Sequence, residues 1–106
     1  MIFDLSPEEV KLIIDSMEKI RLIDVRELWE FQTARIEGAE LIPMGSFVEK
    51  AEDFIKEDRF IIYCHKGVRS YSACRYLVEK GFNSVINLKG GIDAWSRTVD
   101  SSVKIY

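Results

Sequence analysis

RFIIYCHKGVRSYSACRYLVEKGF, residues Arg59–Phe82, joins a strand-like run, a short polar loop and a helical pattern. After its first residue the run RFIIYC is continuously apolar, as is typical of a strand covered on both faces of a parallel sheet. Gly81 falls where the helix is expected to end. The helix face that is predicted to pack on the sheet carries Tyr71, Cys74, Leu77 and Val78. A buried strand that leads directly into a helix predicts one unit of an α/β domain.

The rest of the chain continues this alternation. Strands are predicted in IRLIDVR, which ends near Asp24–Val25, in AELIP, which stops at Pro43, and in SVINLKGG. Helices are predicted in LSPEEVKLIIDSM, ELWEFQTARI, SFVEKAEDFI and IDAWSR, whereas TVDSSVKIY fits neither pattern. We therefore expect one α/β domain over residues 1–106 with a mostly parallel sheet, whose ligands bind beyond the carboxyl ends of the strands.

Two of the predicted helices begin with a capping-box pattern. Ser6 and Glu9 flank Pro7 in the first helix, and Ser46 and Glu49 mark the start of the third. The helical positions expected to face the core are Val10, Ile13, Ile14 and Met17, then Leu28 and Phe31, and then Phe47, Val48, Ala51, Phe54 and Ile55. The two tryptophans, Trp29 and Trp95, are also predicted to be packing residues.

The composition argues against several classes of protein. The 106 residues are 47% hydrophobic, which is enough for a real core, and the net charge of −3 argues against a nucleic-acid binder. No apolar run approaches the ~18 residues of a membrane span, and the acidic first residues do not resemble a signal peptide. One histidine and two cysteines predict neither a zinc site nor a disulfide framework. A reducing, cytoplasmic setting is expected.

The loop after RFIIYC carries groups suited to a reactive thiol. Cys64 lies between the strand and the helix, where the helix dipole and unpaired backbone N–H groups stabilise a thiolate. Lys66 and Arg69 add positive charge. Gly67 allows the backbone to turn so that several N–H groups converge. This combination predicts a nucleophilic Cys64 inside an anion-binding cup.

Four stretches together resemble the rhodanese family of sulfurtransferases. CHKGVRS resembles the family's active-site loop, Cys-x-x-Gly-x-Arg-Ser, and LIDVRELWEF resembles its Asp-Val-Arg segment. ARIEGAELIPMGSF is similar to the family's GHIPGAINIP stretch, although Arg35 and Glu37 stand where the family has histidine and proline. LKGGIDAW resembles its Gly-Gly-x-x-x-Trp segment. The four stretches follow the family order over Leu22–Trp95.

The resemblance implies a three-layer α/β domain with a five-stranded, mostly parallel sheet flanked by helices on both faces. It implies that Cys64 takes sulfane sulfur from an anionic donor such as thiosulfate, forms a persulfide, and passes the sulfur to cyanide, a small thiol or a protein thiol. The loop residues that would bind the substrate and the persulfide are His65, Lys66, Gly67, Val68, Arg69 and Ser70. Asp24 and Arg26 would shape the pocket, for example by pairing with loop charges. No metal or organic cofactor is implied.

Several alternatives stay open at this point. His65 is either a solvated loop residue or a general base. Cys74 lies on the apolar face of its helix and is predicted to be a core residue rather than a partner for Cys64. The chain could also be a non-catalytic binding module, or a cysteine phosphatase or arsenate reductase. Cysteine phosphatases place five residues between cysteine and arginine, whereas four separate Cys64 from Arg69, which disfavours that interpretation.

Overall fold

A computed structural model describes residues 1–16 and 18–106. The strands are β1 (Ile2–Leu5), β2 (Arg21–Asp24), β3 (Glu40–Leu41), β4 (Phe60–Tyr63) and β5 (Val85–Leu88). The helices are α1 (Pro7–Asp15), α2 (Leu28–Thr33), α3 (Met44–Ala51), α4 (Val68–Glu79) and α5 (Gly91–Thr98). In this described part of the chain, no helix is long and apolar enough to cross a membrane.

Within residues 1–16 and 18–106, the five strands run parallel in one sheet, in the order β1-β5-β4-β2-β3. Every residue of the central strand β4 is buried, which confirms that RFIIYC contains a strand covered on both faces. The register of β2 and β4 pairs Asp24 with Tyr63. Because the strands are parallel, the residues that follow β2 and β4 meet at the same edge of the sheet.

Helices cover both faces of the sheet. Successive residues of β4 point to opposite faces. Ile62 belongs to a buried cluster that includes Phe47 of α3 and Leu77 of α4. Tyr63 belongs to a second cluster, which includes Trp95 of α5 and residues of α1. These layers confirm the predicted three-layer α/β fold, and the burial of Trp95 confirms its packing role.

Strand β1 is the element that the residue patterns did not predict. Its four residues pair with β5 at the edge of the sheet. Ile2 and Leu5 are only half-buried, and Phe3 is exposed. A short edge strand of this kind shows neither a continuous apolar run nor a clean alternation, so only the family resemblance implied a fifth strand.

The predicted capping box of α1 is confirmed. The Glu9 N–H donates to the Ser6 hydroxyl oxygen at 3.2 Å, and the Ser6 N–H donates to the Glu9 carboxylate at 3.0 Å. Val10 is fully buried on the core side of the helix. Met17, which was predicted on the same face, lies outside the described residues.

The predicted capping box of α3 is wrong. The helix begins at Met44, directly after Pro43, so Ser46 lies inside its first turn rather than before it. The Ser46 hydroxyl donates back to the Pro43 carbonyl oxygen at 3.3 Å. The rigid backbone of Pro43 sets the start of this helix, and Glu49 falls well within it.

The predicted core face of α3 is partly wrong. Phe47 and Ala51 are buried, as expected for residues four apart on a helix. Val48 follows Phe47 directly, so its side chain is turned around the helix axis away from the core and is exposed. Ile55 is exposed because the helix ends at Ala51, before that position.

The other helices also expose residues that were predicted to pack. In α2, Leu28 and Trp29 are exposed, and the buried residue of the helix is Glu30. In α4, Tyr71 is exposed, whereas Cys74 is fully buried as predicted. The short helix α2 therefore turns a carboxylate towards the protein interior, which an amphipathic pattern does not predict.

Candidate active site

Cys64 is the first residue after β4, at the carboxyl edge of the sheet, and only 1% of it is exposed. The start of α5 fixes the backbone at this point. The Ile92 N–H donates to the Cys64 carbonyl oxygen at 2.9 Å, and the Asp93 N–H donates to the His65 carbonyl oxygen at 3.0 Å. The beginning of the loop is therefore held by a second element of the fold.

The close approach of α5 to the loop requires a glycine at position 91. Gly91 has φ +65°, in the left-handed region that favours glycine. A Cβ at this position would clash with the carbonyl groups of Cys64 and His65. Gly91 thus allows the N–H groups that follow it to reach the loop.

Three hydrogen-bond donors surround the Cys64 sulfur. They are the Gly67 N–H at 3.1 Å, the Ser70 N–H at 3.4 Å and the Ser70 hydroxyl at 3.3 Å. Gly67 adopts φ +99° and is the N-cap of α4, so the sulfur lies at the positive end of the helix dipole. This arrangement stabilises negative charge on the sulfur.

Arg69 pairs with an acid of α2. Its Nη1 and Nη2 atoms donate to the two carboxylate oxygens of Glu30 at 2.8 and 2.9 Å. These bonds lower the pKa of Glu30 to about 2 and raise the pKa of Arg69. The ion pair ties the loop to α2 and offsets part of the positive charge that Arg69 was predicted to supply to the cup.

Asp24 and Arg26 form a fully buried ion pair. Arg26 Nε donates to the Asp24 carboxylate at 3.0 and 3.1 Å, and Nη2 donates to it at 2.7 Å. Arg26 also donates to the carbonyl oxygens of Glu30 and Ala34, at 3.3 and 2.5 Å. Burial alone would lower the pKa of Arg26, but its hydrogen bonds to Asp24 and Tyr106 outweigh burial and leave this pKa raised.

The Asp24–Arg26 pair fixes the position of α2, which carries Glu30. Asp24 engages Arg26 rather than a loop cation, so the expected pairing of these two residues with loop charges is wrong. Glu30 takes that place, because α2 brings its carboxylate to Arg69. Asp24 and Arg26 instead hold the backbone of α2 against the end of β2.

The remaining loop residues differ in exposure. Lys66 and Val68 are exposed. His65 is half-buried, and its ring stacks on the ring of Tyr106 with centroids 4.1 Å apart. Its Nε2 atom lies 3.1 Å from the main-chain oxygen of Tyr106. The prediction that His65 is a solvated loop residue therefore does not hold, because its ring packs on Tyr106.

Comparison with known proteins assigns the family. Residues 6–98 match the Rhodanese-like domain family. The chain belongs to this family. A protein of Allochromatium vinosum named "Sulfurtransferase" is 34% identical over 97 residues, which cover 92% of this chain and 91% of that protein. YrkF of Bacillus subtilis, provisionally named a sulfur carrier protein, is 37% identical over 93 residues, which cover 88% of this chain and 50% of YrkF.

The crystal structure of a Rhodanese-like domain protein from Staphylococcus aureus has the same fold. Its TM-score is 0.83 with 29% sequence identity, over 98% of each chain. The family resemblance and the three-layer architecture are thus confirmed. This rhodanese-like chain spans nearly the full length of the Staphylococcus aureus and Allochromatium vinosum proteins and half the length of YrkF.

Glu30, Gly91 and Tyr106 were not predicted as parts of the rhodanese-like site. Glu30 had a local signal, since it follows Glu27 by three residues and accepts the Glu27 N–H at 3.0 Å, as in a capping box. Gly91 lies in the LKGGIDAW stretch, which predicts no role for this glycine. Tyr106 had no local signal, because it lies 41 residues from His65 in the sequence.

Replacing Cys74 with alanine is expected to leave sulfur transfer intact. Cys74 is a free, fully buried thiol, and burial raises its pKa to about 12, so it remains protonated. Loss of its sulfur leaves a small defect in the core that costs about 1 kcal/mol. Activity assays and urea unfolding measure the two effects. Lost turnover in a folded variant would contradict this prediction.

Proposed function

We propose that this rhodanese-like chain is a sulfurtransferase that carries sulfane sulfur as a persulfide on Cys64. The observation that carries the proposal is the set of three donors within 3.4 Å of the Cys64 sulfur. Membership of the family and the relative named "Sulfurtransferase" support the same chemistry. A non-catalytic binding module has less support, because it would not require donors to converge on a cysteine sulfur.

The proposed cycle has two half-reactions. The Cys64 thiolate attacks the sulfane sulfur of an anionic donor such as thiosulfate, the donor's S–S bond breaks, and sulfite leaves with the electron pair. Cyanide, a small thiolate or a protein thiolate then attacks the terminal sulfur of the persulfide. The persulfide bond breaks, and its electron pair returns to Cys64 as a thiolate. The cycle balances without an external oxidant, a metal or an organic cofactor.

The loop residues have separate roles in this scheme. The backbone and hydroxyl donors of Gly67 and Ser70 stabilise the anionic sulfur, as preorganised donors do in other active sites. Lys66 is exposed at the loop and attracts an anionic donor. Arg69 fixes the loop through its ion pair with Glu30. His65 and Val68 contribute to the surface that a donor or acceptor meets.

The proposed setting is the cytoplasm. The cycle starts from a thiolate, and both cysteines of this chain are free thiols. A reducing compartment keeps such thiols available. The expectations that the chain binds neither nucleic acid nor membranes, and that residues 1–106 form one domain, remain predictions.

The phosphatase alternative is less favoured by the geometry. A phosphatase arginine must close over the phosphate oxygens with its planar fork. In this chain the fork of Arg69 is already engaged by Glu30 at 2.8 and 2.9 Å. The donors also converge on a single sulfur atom instead of spreading round several oxygens.

Assays of the same protein with two substrate classes test the proposal. Incubation with thiosulfate and cyanide should yield thiocyanate, whereas incubation with an aryl phosphate should yield no phenol burst. A phenol burst that disappears in the Cys64→Ser variant, without thiocyanate formation by the wild type, would overturn the sulfurtransferase proposal in favour of the phosphatase.

Reversing the charge of Lys66 is expected to slow the reaction with thiosulfate. Lys66→Glu places an anion beside the approaching donor and disfavours the Cys64 thiolate, so the rate should fall by about threefold to tenfold. Low salt should raise the wild-type rate because charges are screened less, and this rise should be smaller in Lys66→Glu. Stopped-flow or steady-state rates over a range of salt concentrations measure both effects.

Lys80→Glu is the matched control for this charge change. Lys80 follows the far end of α4, so the same change in net charge there should leave the rate nearly unchanged. Equal rates and equal salt dependence in Lys66→Glu and the wild type would show that backbone donors alone capture the anion.

A further inference from the structure

Tyr106 lies against the loop that carries Cys64. Its ring stacks on His65, with centroids 4.1 Å apart and planes 13° from parallel. Its main-chain oxygen lies 3.1 Å from His65 Nε2. Since His65 is the residue next to Cys64, the aromatic ring lies against one side of the loop that carries the buried thiol.

The hydroxyl of Tyr106 forms hydrogen bonds with Arg26 and Glu30. It accepts a hydrogen bond from Arg26 Nη1 at 2.7 Å and donates one to Glu30 at 2.7 Å. Burial raises the pKa of Tyr106 to about 12, so the hydroxyl keeps the proton that it donates. Glu30 is the acid that holds Arg69. One side chain therefore extends from His65 to the α2 residue that fixes the other side of the loop.

The segment after α5 is folded back to place this residue. The Asp100 N–H donates to the Trp95 carbonyl oxygen at 3.1 Å, and the Val103 N–H donates to the Asp100 carbonyl oxygen at 3.1 Å. Val103 and Tyr106 then pack against the buried cluster that includes Tyr63 and Trp95. Trp29 of α2 meets the Tyr106 ring edge-on, with centroids 5.9 Å apart. Tyr106 is thus anchored on several sides.

We propose that Tyr106 is a specificity-determining residue, which covers the rim of the Cys64 loop and favours small sulfur donors and acceptors over bulky ones. The inference rests on the proposed function for its meaning, since it concerns which partners reach the sulfur. Cyanide and thiosulfate pass the covered rim. A bulky thiol reaches the sulfur only when the Tyr106 ring moves off His65.

Alkylation of Cys64 by a small and a bulky reagent tests the cover without requiring sulfur transfer. Iodoacetamide and fluorescein maleimide both react with a thiolate, so the ratio of their rates cancels changes in thiol reactivity and leaves the steric effect. In Tyr106→Ala, the rate with the maleimide relative to iodoacetamide should rise by about tenfold or more over the wild-type ratio. Peptide mapping assigns the label to Cys64 or Cys74.

Two controls make the result decisive. Ile105→Ala alters an exposed neighbour in the same segment and should keep the wild-type ratio. Cys74 is fully buried and should stay unlabelled in every folded variant, so its labelling would reveal unfolding.

Tyr106→Phe keeps the ring without the hydroxyl, and it provides a second variant if Tyr106→Ala unfolds. Its relative maleimide rate should also exceed the wild-type ratio, because the ring has lost its anchors on Arg26 and Glu30.

The outcome separates this inference from the proposed function. An unchanged ratio in the folded Tyr106 variants overturns the cover, even where thiocyanate forms normally. A raised ratio in a protein that gains no sulfur from thiosulfate or from a small persulfide donor supports the covering role of Tyr106 and rejects the sulfurtransferase proposal.

Discussion

Replacing Cys64 with serine is expected to abolish sulfur transfer, lowering the rate with thiosulfate and cyanide on the order of a thousandfold or more. A serine hydroxyl is not ionised at neutral pH, and its oxygen cannot form the persulfide that the cycle requires. Thiocyanate formation measures the loss. Turnover near the wild-type rate would defeat the assignment of Cys64 as the nucleophile.

The same variant should remain folded. A serine oxygen can accept the Gly67 and Ser70 N–H bonds that the sulfur accepts in the wild type. We therefore expect a thermal unfolding midpoint close to that of the wild type. A native unfolding transition together with lost activity places the defect in the chemistry rather than in the fold.

Replacing Arg26 with methionine is expected to destabilise the fold by about 3 to 5 kcal/mol. The substitution leaves the fully buried Asp24 carboxylate without its cation. It also removes the donors to the Glu30 and Ala34 carbonyl oxygens. Urea unfolding monitored by tryptophan fluorescence gives the change in free energy of unfolding.

Two further variants separate the buried charge from side-chain size. The double variant Asp24→Leu, Arg26→Met removes both charges and should be more stable than Arg26→Met alone. Arg97→Met breaks an exposed pair with Asp93 and should cost less than about 1 kcal/mol. An Arg26→Met variant that loses no more stability than Arg97→Met would show that the buried pair does not support α2.

The centre of the fold could be predicted from sequence because its signals are local. RFIIYC is long and apolar enough to mark the central strand β4, and Gly67 marks the turn into α4. The Ser6 capping box likewise acts between neighbouring residues. Local patterns of this kind, each with a single physical cause, predict that Cys64 lies at the carboxyl edge of the sheet.

The partners of the loop could not be predicted in the same way. Glu30 and Arg69 are 39 residues apart, and a periodicity argument favours burial of Leu28 and Phe31 rather than of a carboxylate. The sequence predicts that Arg26 pairs with the loop, but its guanidinium donates its hydrogen bonds to Asp24 and to backbone carbonyl oxygens at and just after α2. These choices depend on which elements meet in three dimensions.

Intact mass spectrometry of the protein after incubation with thiosulfate tests the central claim most directly. The account predicts a species heavier by one sulfur atom, located on the peptide that contains Cys64, which returns to the original mass on addition of cyanide. The Cys64→Ser variant should not gain this mass, and Cys74→Ala should gain it normally. A wild-type protein that gains no sulfur from thiosulfate or from a small persulfide donor, or that gains it on Cys74, would contradict the account.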